Sequence, residues 1–131
     1  MSLTEKSVFD APPPTPKKRR KSPEGRVVRE CLLWLKQHGV LAVRTHAGYL
    51  RLANGNWMHA GAPGWPDITG CLPDGQFLGV ECKAAKGRQS EGQARIEREI
   101  TERGGLYVVA RSTQDIAEHL ARHGQLRPDR R

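Results

Sequence analysis

The 131-residue chain has few cysteines and no long apolar run, and each shortage argues against a class of protein. No apolar segment approaches the roughly 20 residues that cross a bilayer. The first residues, MSLTEKSVFD, lack the apolar centre of a signal peptide. These features predict a cytoplasmic protein of a bacterial or phage-infected cell, or a nuclear one if the source is eukaryotic, that does not associate with a membrane.

Cysteine usage argues against a disulfide framework. The three cysteines, Cys31, Cys71 and Cys82, are an odd number and form no CxxC pair. Free cysteine behaves as a small apolar side chain, so we predict buried thiols in a reducing compartment. A zinc site that combines these cysteines with His59 is the alternative.

Acidic residues are outnumbered by basic ones, since 14 Asp and Glu against 22 Lys and Arg give a formal charge of +8 at pH 7. Such an excess favours an anionic partner, most often nucleic acid. Residues 1–22 form a proline-rich arm that we predict to be disordered and to contact DNA phosphates. Its basic block also looks like a nuclear-localisation signal. The block comprises Lys17, Lys18, Arg19, Arg20 and Lys21, and residues 125–131 form a second basic tail.

Residues 23–124 carry the signals of a single α/β domain. Ser22 followed by Pro23 predicts a helix start, and Gly39 predicts its end. The runs VLAVRT and GYLRLANGNWMHA predict strands, with Asn54-Gly55 as a tight hairpin turn.

The second half of this domain predicts a βαβ unit. DITGCL and FLGVECK are typical strands on either side of the turn formed by residues 73–75. Ser90 and Gln93 have the spacing of a capping box at a helix start. The run LYVVAR predicts a strand parallel to FLGVECK, and a last helix follows. The order is αβββαβ plus a C-terminal helix, an α/β sandwich.

Charged residues on the strand FLGVECK are the chemical focus of the sequence. Alternation places Glu81 and Lys83 on one face and Leu78, Val80 and Cys82 on the other. A solvated strand end is the simpler interpretation of that pair. Asp67, at the head of the preceding strand, lies beside Glu81 if the two strands are antiparallel neighbours. Two adjacent carboxylates repel unless a cation lies between them, and Mg²⁺ prefers such oxygens.

Pro66-Asp67 and Glu81-Cys82-Lys83 form a PD-(D/E)xK motif. With GWPDITG, GVECK, SEGQ and RGGLYVVARS, the chain resembles the virus-type replication-repair nuclease (VRR-NUC) family from about Pro23 to Leu120. The resemblance implies a restriction-endonuclease-like αβββαβ core with a mixed central sheet flanked by helices. It also implies a Mg²⁺- or Mn²⁺-dependent DNA phosphodiesterase.

Matching positions imply a role for each residue of the site. Asp67 and Glu81 would bind the metal together with the backbone carbonyl of Cys82, and Lys83 would position the attacking water. Glu30 matches the family's N-terminal glutamate and would be a further carboxylate ligand, although a helix cap or a surface ion pair explains it equally well. Gln93 would point towards the strand that bears Lys83, or cap its helix with Ser90, or do both.

Further basic residues near the motif are predicted to grip phosphates. The combined features predict an endonuclease for branched or structured DNA, such as junctions or flaps, in replication, recombination or repair. The resemblance further implies a homodimer. The alternative from another class is a nucleic-acid-binding protein that keeps the fold without catalysis. The predicted phosphate-binding residues near the motif are Arg44, Arg51, Lys86 and Arg88.

Overall fold

The computed structural model describes residues 22–45, 48–60 and 62–125. The basic block 17–21 and the tail from residue 126 lie outside these residues, so the predictions for both stay untested. None of the helices in the described ranges is long and apolar enough to cross a bilayer. The elements are α1 Pro23–Gln37, β1 Leu41–Arg44, β2 Gly48–Arg51, β3 Trp57–Ala60, β4 Ile68–Cys71, β5 Phe77–Cys82, α2 Glu91–Glu102, β6 Leu106–Ala110 and α3 Thr113–Arg122.

Helix α1 begins where the sequence predicts. The side chain of Ser22 accepts a hydrogen bond from the backbone N–H of Gly25 (2.9 Å), and Pro23 occupies the first helical position, where no amide hydrogen is needed. Val28, Cys31 and Leu35 form the buried stripe of the helix, one turn apart.

Four strands form a mixed sheet in the order β1-β4-β5-β6. The β1–β4 and β4–β5 pairs are antiparallel, whereas β5 and β6 are parallel, as predicted for the βαβ unit. The hairpin predicted around Asn54-Gly55 is present, but its strands β2 and β3 pair only with each other within the described residues. The described residues therefore form an α/β fold with one mixed sheet, three helices and a separate hairpin.

The two faces of β5 have different chemistry. Leu78, Val80 and Cys82 are fully buried in the apolar core against residues of α1 and α3. The opposite face is covered by α2, since a Cβ added to Gly79 would lie 3.5 Å from Cδ1 of Ile100. Each large apolar side chain buried in this way contributes about 1.5 to 3 kcal/mol. The core thus fixes β5 so that Glu81 is held between the sheet and α2.

Cysteine burial follows the prediction at two of three positions. Cys31 and Cys82 are buried, whereas Cys71 is exposed at the end of β4. Cys71 is therefore not the buried thiol that we predicted, because alternation along β4 turns the residues on either side of it inward instead.

Candidate active site

Asp67 is held firmly at the entrance to β4. The antiparallel register pairs Ile68 with Val80, so the preceding residue, Asp67, lies opposite Glu81. The carbonyl of Asp67 accepts a hydrogen bond from the N–H of Thr45 (2.8 Å), and its Oδ2 accepts one from the N–H of Cys82 (2.8 Å). Main chain and side chain of Asp67 are both anchored, so its carboxylate has little freedom to turn away.

Glu81 is a buried carboxyl group with incomplete hydrogen bonding. The residue is only 1% exposed, and its Oε2 has no hydrogen-bond partner among the described residues. Burial, followed by the hydrogen bonding and charge of neighbouring Asp67, raises the pKa of Glu81 to about 9. An ionised carboxylate at this place therefore needs a positive partner.

Glu24 supplies a third carboxylate that the sequence interpretation missed. One carboxylate oxygen each from Glu24, Asp67 and Glu81 lie within 4.8 Å of one another, the only such cluster of potential metal ligands among the described residues. A signal was available, since Glu24 lies four residues before Val28 and seven before Cys31. It therefore lies on the same side of α1 as the buried stripe, one turn earlier, although Glu24 itself is exposed.

Glu30 does not join this cluster. Its Oε1 lies 3.1 Å from Nε of Arg26, one turn earlier on α1, and its side chain is 52% exposed. The inward orientation predicted for Glu30 is wrong, and the alternative of a surface ion pair is correct. The physical reason is helical geometry, since position 30 lies off the stripe that packs against the sheet.

The three carboxylates suit a hard divalent cation. Mg²⁺ and Mn²⁺ bind carboxylate oxygens, and either ion would partner the orphaned Oε2 of Glu81 and remove the repulsion between neighbouring charges. The cysteines take no part in the cluster, and the side chain of His59 lies outside the described set, so the zinc alternative gains no support. The role of the Cys82 carbonyl as a ligand stays a prediction.

Lys83 lies beside the carboxylates, largely buried. It is 9% exposed, and its N–H donates to the carbonyl of Ala110 (2.9 Å) on β6. Its aliphatic stem lies close to the turn that follows. A Cβ on Gly87 in this turn would be 3.3 Å from Cδ of Lys83. The positive charge of Lys83 partly offsets the influences that raise the pKa of Glu81.

Tyr107 is a second polar residue that the sequence interpretation missed. It pairs with Gly79 in the parallel register and so shares the face of the sheet that carries Glu81. Its hydroxyl is buried and has no hydrogen-bond partner among the described residues. Burial raises the pKa of Tyr107, the side chain of Gln89 lowers it, and the charge on Glu81 raises it further. The sequence contains a signal for this orientation. Tyr107 lies between Leu106 and Val108 in a strand, so its side chain must point to the opposite face from theirs.

Gln93 performs the capping role that we predicted for it. Its Oε1 accepts a hydrogen bond from the N–H of Ser90 (2.9 Å), and its N–H donates to Oγ of Ser90 (3.1 Å). This reciprocal pair caps the start of α2. The loop before β4 approaches the same turn closely, since a Cβ on Gly64 would lie 2.5 Å from the carbonyl carbon of Gly92. A direct part for the Gln93 amide in the chemistry stays a prediction.

The predicted phosphate-binding residues Arg44, Arg51, Lys86 and Arg88 are all exposed. The guanidinium of Arg51 lies 5.6 Å from the ring centroid of Trp57, a cation–π contact on the hairpin. Arg44 ends β1 and pairs in register with Ile68, the residue after Asp67. Contact with a phosphate stays a prediction for all four.

Comparison with known proteins gives no relative from which a role could be transferred. No family model, no curated protein and no solved structure matches the chain. The resemblance to the VRR-NUC family therefore depends on the motif residues alone, and the function has to be argued from the site.

Proposed function

We propose that this protein is a Mg²⁺- or Mn²⁺-dependent nuclease that hydrolyses DNA phosphodiester bonds, as an endonuclease on branched or structured DNA. The observation that carries the proposal is the cluster of Glu24, Asp67 and Glu81, with carboxylate oxygens within 4.8 Å, next to the largely buried Lys83. The excess of basic residues favours a polyanionic substrate.

The carboxylates of the cluster and Lys83 would have different roles in hydrolysis. Asp67, Glu81 and Glu24 would hold the cation, with the Cys82 carbonyl as a further ligand. A bound divalent cation supplies Lewis acidity that stabilises negative charge developing on the phosphate. Lys83 orients the attacking water and offsets charge on the non-bridging oxygens. Water adds to phosphorus and gives up a proton to the solvent, one P–O ester bond breaks, and the leaving alkoxide takes up a proton from the solvent.

Chain order and motif spacing support the finer assignment. Without the hairpin, the elements run α1, β1, β4, β5, α2, β6, which is the αβββαβ order of a restriction-endonuclease-like core. We therefore propose membership of the VRR-NUC family, with Glu24 rather than Glu30 as the carboxylate from the first helix. A homodimer with two such sites would suit paired cuts at a junction.

The experiment compares cleavage of junction, flap, single-stranded and duplex DNA with Mg²⁺, Mn²⁺ or EDTA. Wild type is expected to cut only with metal and to prefer the branched substrates. Asp67→Asn and Lys83→Met are expected to lower the cleavage rate by roughly 10²-fold or more. Asp74→Asn is the matched control, because Asp74 is exposed at the opposite end of the β4–β5 hairpin.

Two outcomes would overturn the proposal. Equal cleavage by Asp67→Asn and wild type would show that this cluster is not the catalytic site. Metal-independent binding of DNA with no cleavage of any substrate would favour the non-catalytic nucleic-acid-binding protein instead.

A further inference from the structure

A groove of about 510 Å³ lies between α1 and the turn that follows β5. Its volume falls within the range of roughly 300 to 1,000 Å³ that is typical of ligand clefts. Ser22 and Pro23 lie at its α1 end, and Ala84 and Ala85 lie across from them. The groove also receives the side chains of Arg26, Arg29 and Arg111.

The lining combines apolar walls with cationic groups. Pro23, Val27, Ala84 and Ala85 present carbon surface, and the arginines present planar guanidinium groups with several N–H donors each. A guanidinium fits the oxygens of a phosphate, whereas short aliphatic side chains fit the carbon face of a sugar. The sugar–phosphate backbone of a nucleic acid has both properties, repeated along its length.

Two of the three arginines are available to an anion. Arg26 is already paired with Glu30, whereas neither Arg29 nor Arg111 forms an ion pair within the described ranges. Nη2 of Arg111 donates to the carbonyl of Gly87 (2.9 Å), which positions this guanidinium without neutralising it. The nearest acidic contact of Arg111 is at its backbone, where its N–H donates to Oδ2 of Asp115 (2.8 Å).

The groove and the carboxylate cluster are formed by neighbouring residues of the chain. Glu24 follows the groove residue Pro23 directly, and Lys83 precedes the groove residue Ala84 directly. The first turn of α1 and the end of β5 therefore contribute residues both to the groove and to the carboxylate cluster.

The geometry points to this groove as the binding site for the backbone of the DNA strand that enters the active site, with Arg29 and Arg111 each contacting one phosphate. The inference rests on the proposed nuclease function. Arg29 and Arg111 lie outside the motif, and through them the protein would contact the sugar–phosphate chain and not the bases. One strand is held here, so single-stranded segments of a branched substrate are the favoured ligands.

Binding in EDTA tests the groove without any cleavage. Fluorescence anisotropy of a labelled oligodeoxynucleotide is measured for wild type, Arg29→Ala, Arg111→Ala and the double variant over a range of salt concentrations. The double variant is expected to bind roughly tenfold more weakly at low salt, and its log–log salt slope should be smaller by roughly 1.4, about 0.7 for each lost phosphate contact. An abasic strand should bind wild type as well as a normal strand does.

Arg122→Ala is the matched control, since Arg122 is an exposed arginine at the far end of α3. It should leave both affinity and salt slope unchanged. Thermal unfolding of each variant shows whether the fold is kept, and Arg29→Glu provides a second test at an exposed position.

The results separate this inference from the proposed function. An unchanged affinity and slope in the double variant, or binding that is lost with the abasic strand, would overturn the groove as a backbone site even if Asp67→Asn abolishes cleavage. A weakened double variant in a protein that cleaves no DNA would keep the groove and overturn the nuclease.

Discussion

At the level of single residues, Glu81 combines deep burial with a neighbouring carboxylate. A carboxyl group this deeply buried, with one oxygen unpaired and Asp67 as its neighbour, costs free energy whenever it ionises. Residues that lower stability in this way are typical of functional sites, where a ligand completes what the protein alone leaves unsatisfied.

The unfolding free energy of the metal-free protein should therefore depend on pH through Glu81. Its pKa is raised from 4.5 to about 9, so the folded state binds more protons than the unfolded chain between these values. The contribution of Glu81 is fully present below about pH 4.5 and is lost as the pH rises towards 9. Glu81→Gln should remove this loss and stabilise the metal-free protein at pH 8 by roughly 2 to 4 kcal/mol.

Urea unfolding at pH 5 and pH 8, in EDTA and in Mg²⁺, measures this effect. Mg²⁺ should stabilise wild type at pH 8 and leave Glu81→Gln nearly unchanged. Glu102→Gln is the control, because Glu102 is exposed at the end of α2. Equal pH profiles for wild type and Glu81→Gln would contradict the buried-charge account.

At the level of secondary-structure elements, the start of α2 packs next to the candidate site. Helix α2 covers the face of the sheet that bears Glu81, and its first turn meets the loop that leads to Asp67. The capping box of Ser90 and Gln93 supports the helix end, and the contact between Gly64 and Gly92 sets how closely the loop approaches.

Gly64→Ala should destabilise the protein more than Gly55→Ala does. Both glycines have a positive φ, +82° and +87°, so both substitutions cost roughly 1 kcal/mol of backbone strain. Only at Gly64 does the new Cβ also meet backbone, 2.5 Å from the Gly92 carbonyl group. We expect an additional loss of roughly 1 to 3 kcal/mol by chemical unfolding, and equal losses at the two positions would refute the tight contact.

Substitution of Gln93, followed by chemical unfolding, tests its role in capping α2. Gln93→Ala should cost about 0.5 to 1 kcal/mol, because the N–H of Ser90 loses its partner. Gln93→Glu keeps a carbonyl-type acceptor at the third helical position and should retain the wild-type unfolding free energy within about 0.5 kcal/mol. A Glu variant as unstable as the Ala variant would contradict the capping box.

At the scale of the whole molecule, charge is distributed unevenly between the domain and its arms. Residues 1–21 carry six Lys and Arg against two Asp and Glu, and the predicted DNA contacts of this arm are tested only by removing it. Deletion of residues 1–21 should weaken DNA binding and lower its salt slope, because several phosphate contacts are lost. Anisotropy titrations measure both quantities, and an unchanged slope would show that the arm does not contact DNA.

The order of elements and much of the site were predictable from the chain. Ser22-Pro23, Ser90 with Gln93, and the turns at Asn54-Gly55 and residues 73–75 are local signals, each set by hydrogen bonds or backbone angles within a few residues. Alternation along β5 separated Glu81 from the core for the same local reason. The parallel pairing of β5 with β6 followed from the helix that connects them.

The helices, the strands, the predominance of basic charge and the motif that contains Asp67 and Glu81 follow from the amino-acid order alone, since these features depend on neighbours along the chain. Packing between distant segments brings Glu24 to Asp67 and Glu81, and it places Arg29 and Arg111 around one groove. Those outcomes depend on how α1 is rotated against the sheet. That rotation is set by the packing of Val28, Cys31 and Leu35 in the shared core, a contact between segments distant in sequence that no local pattern specifies.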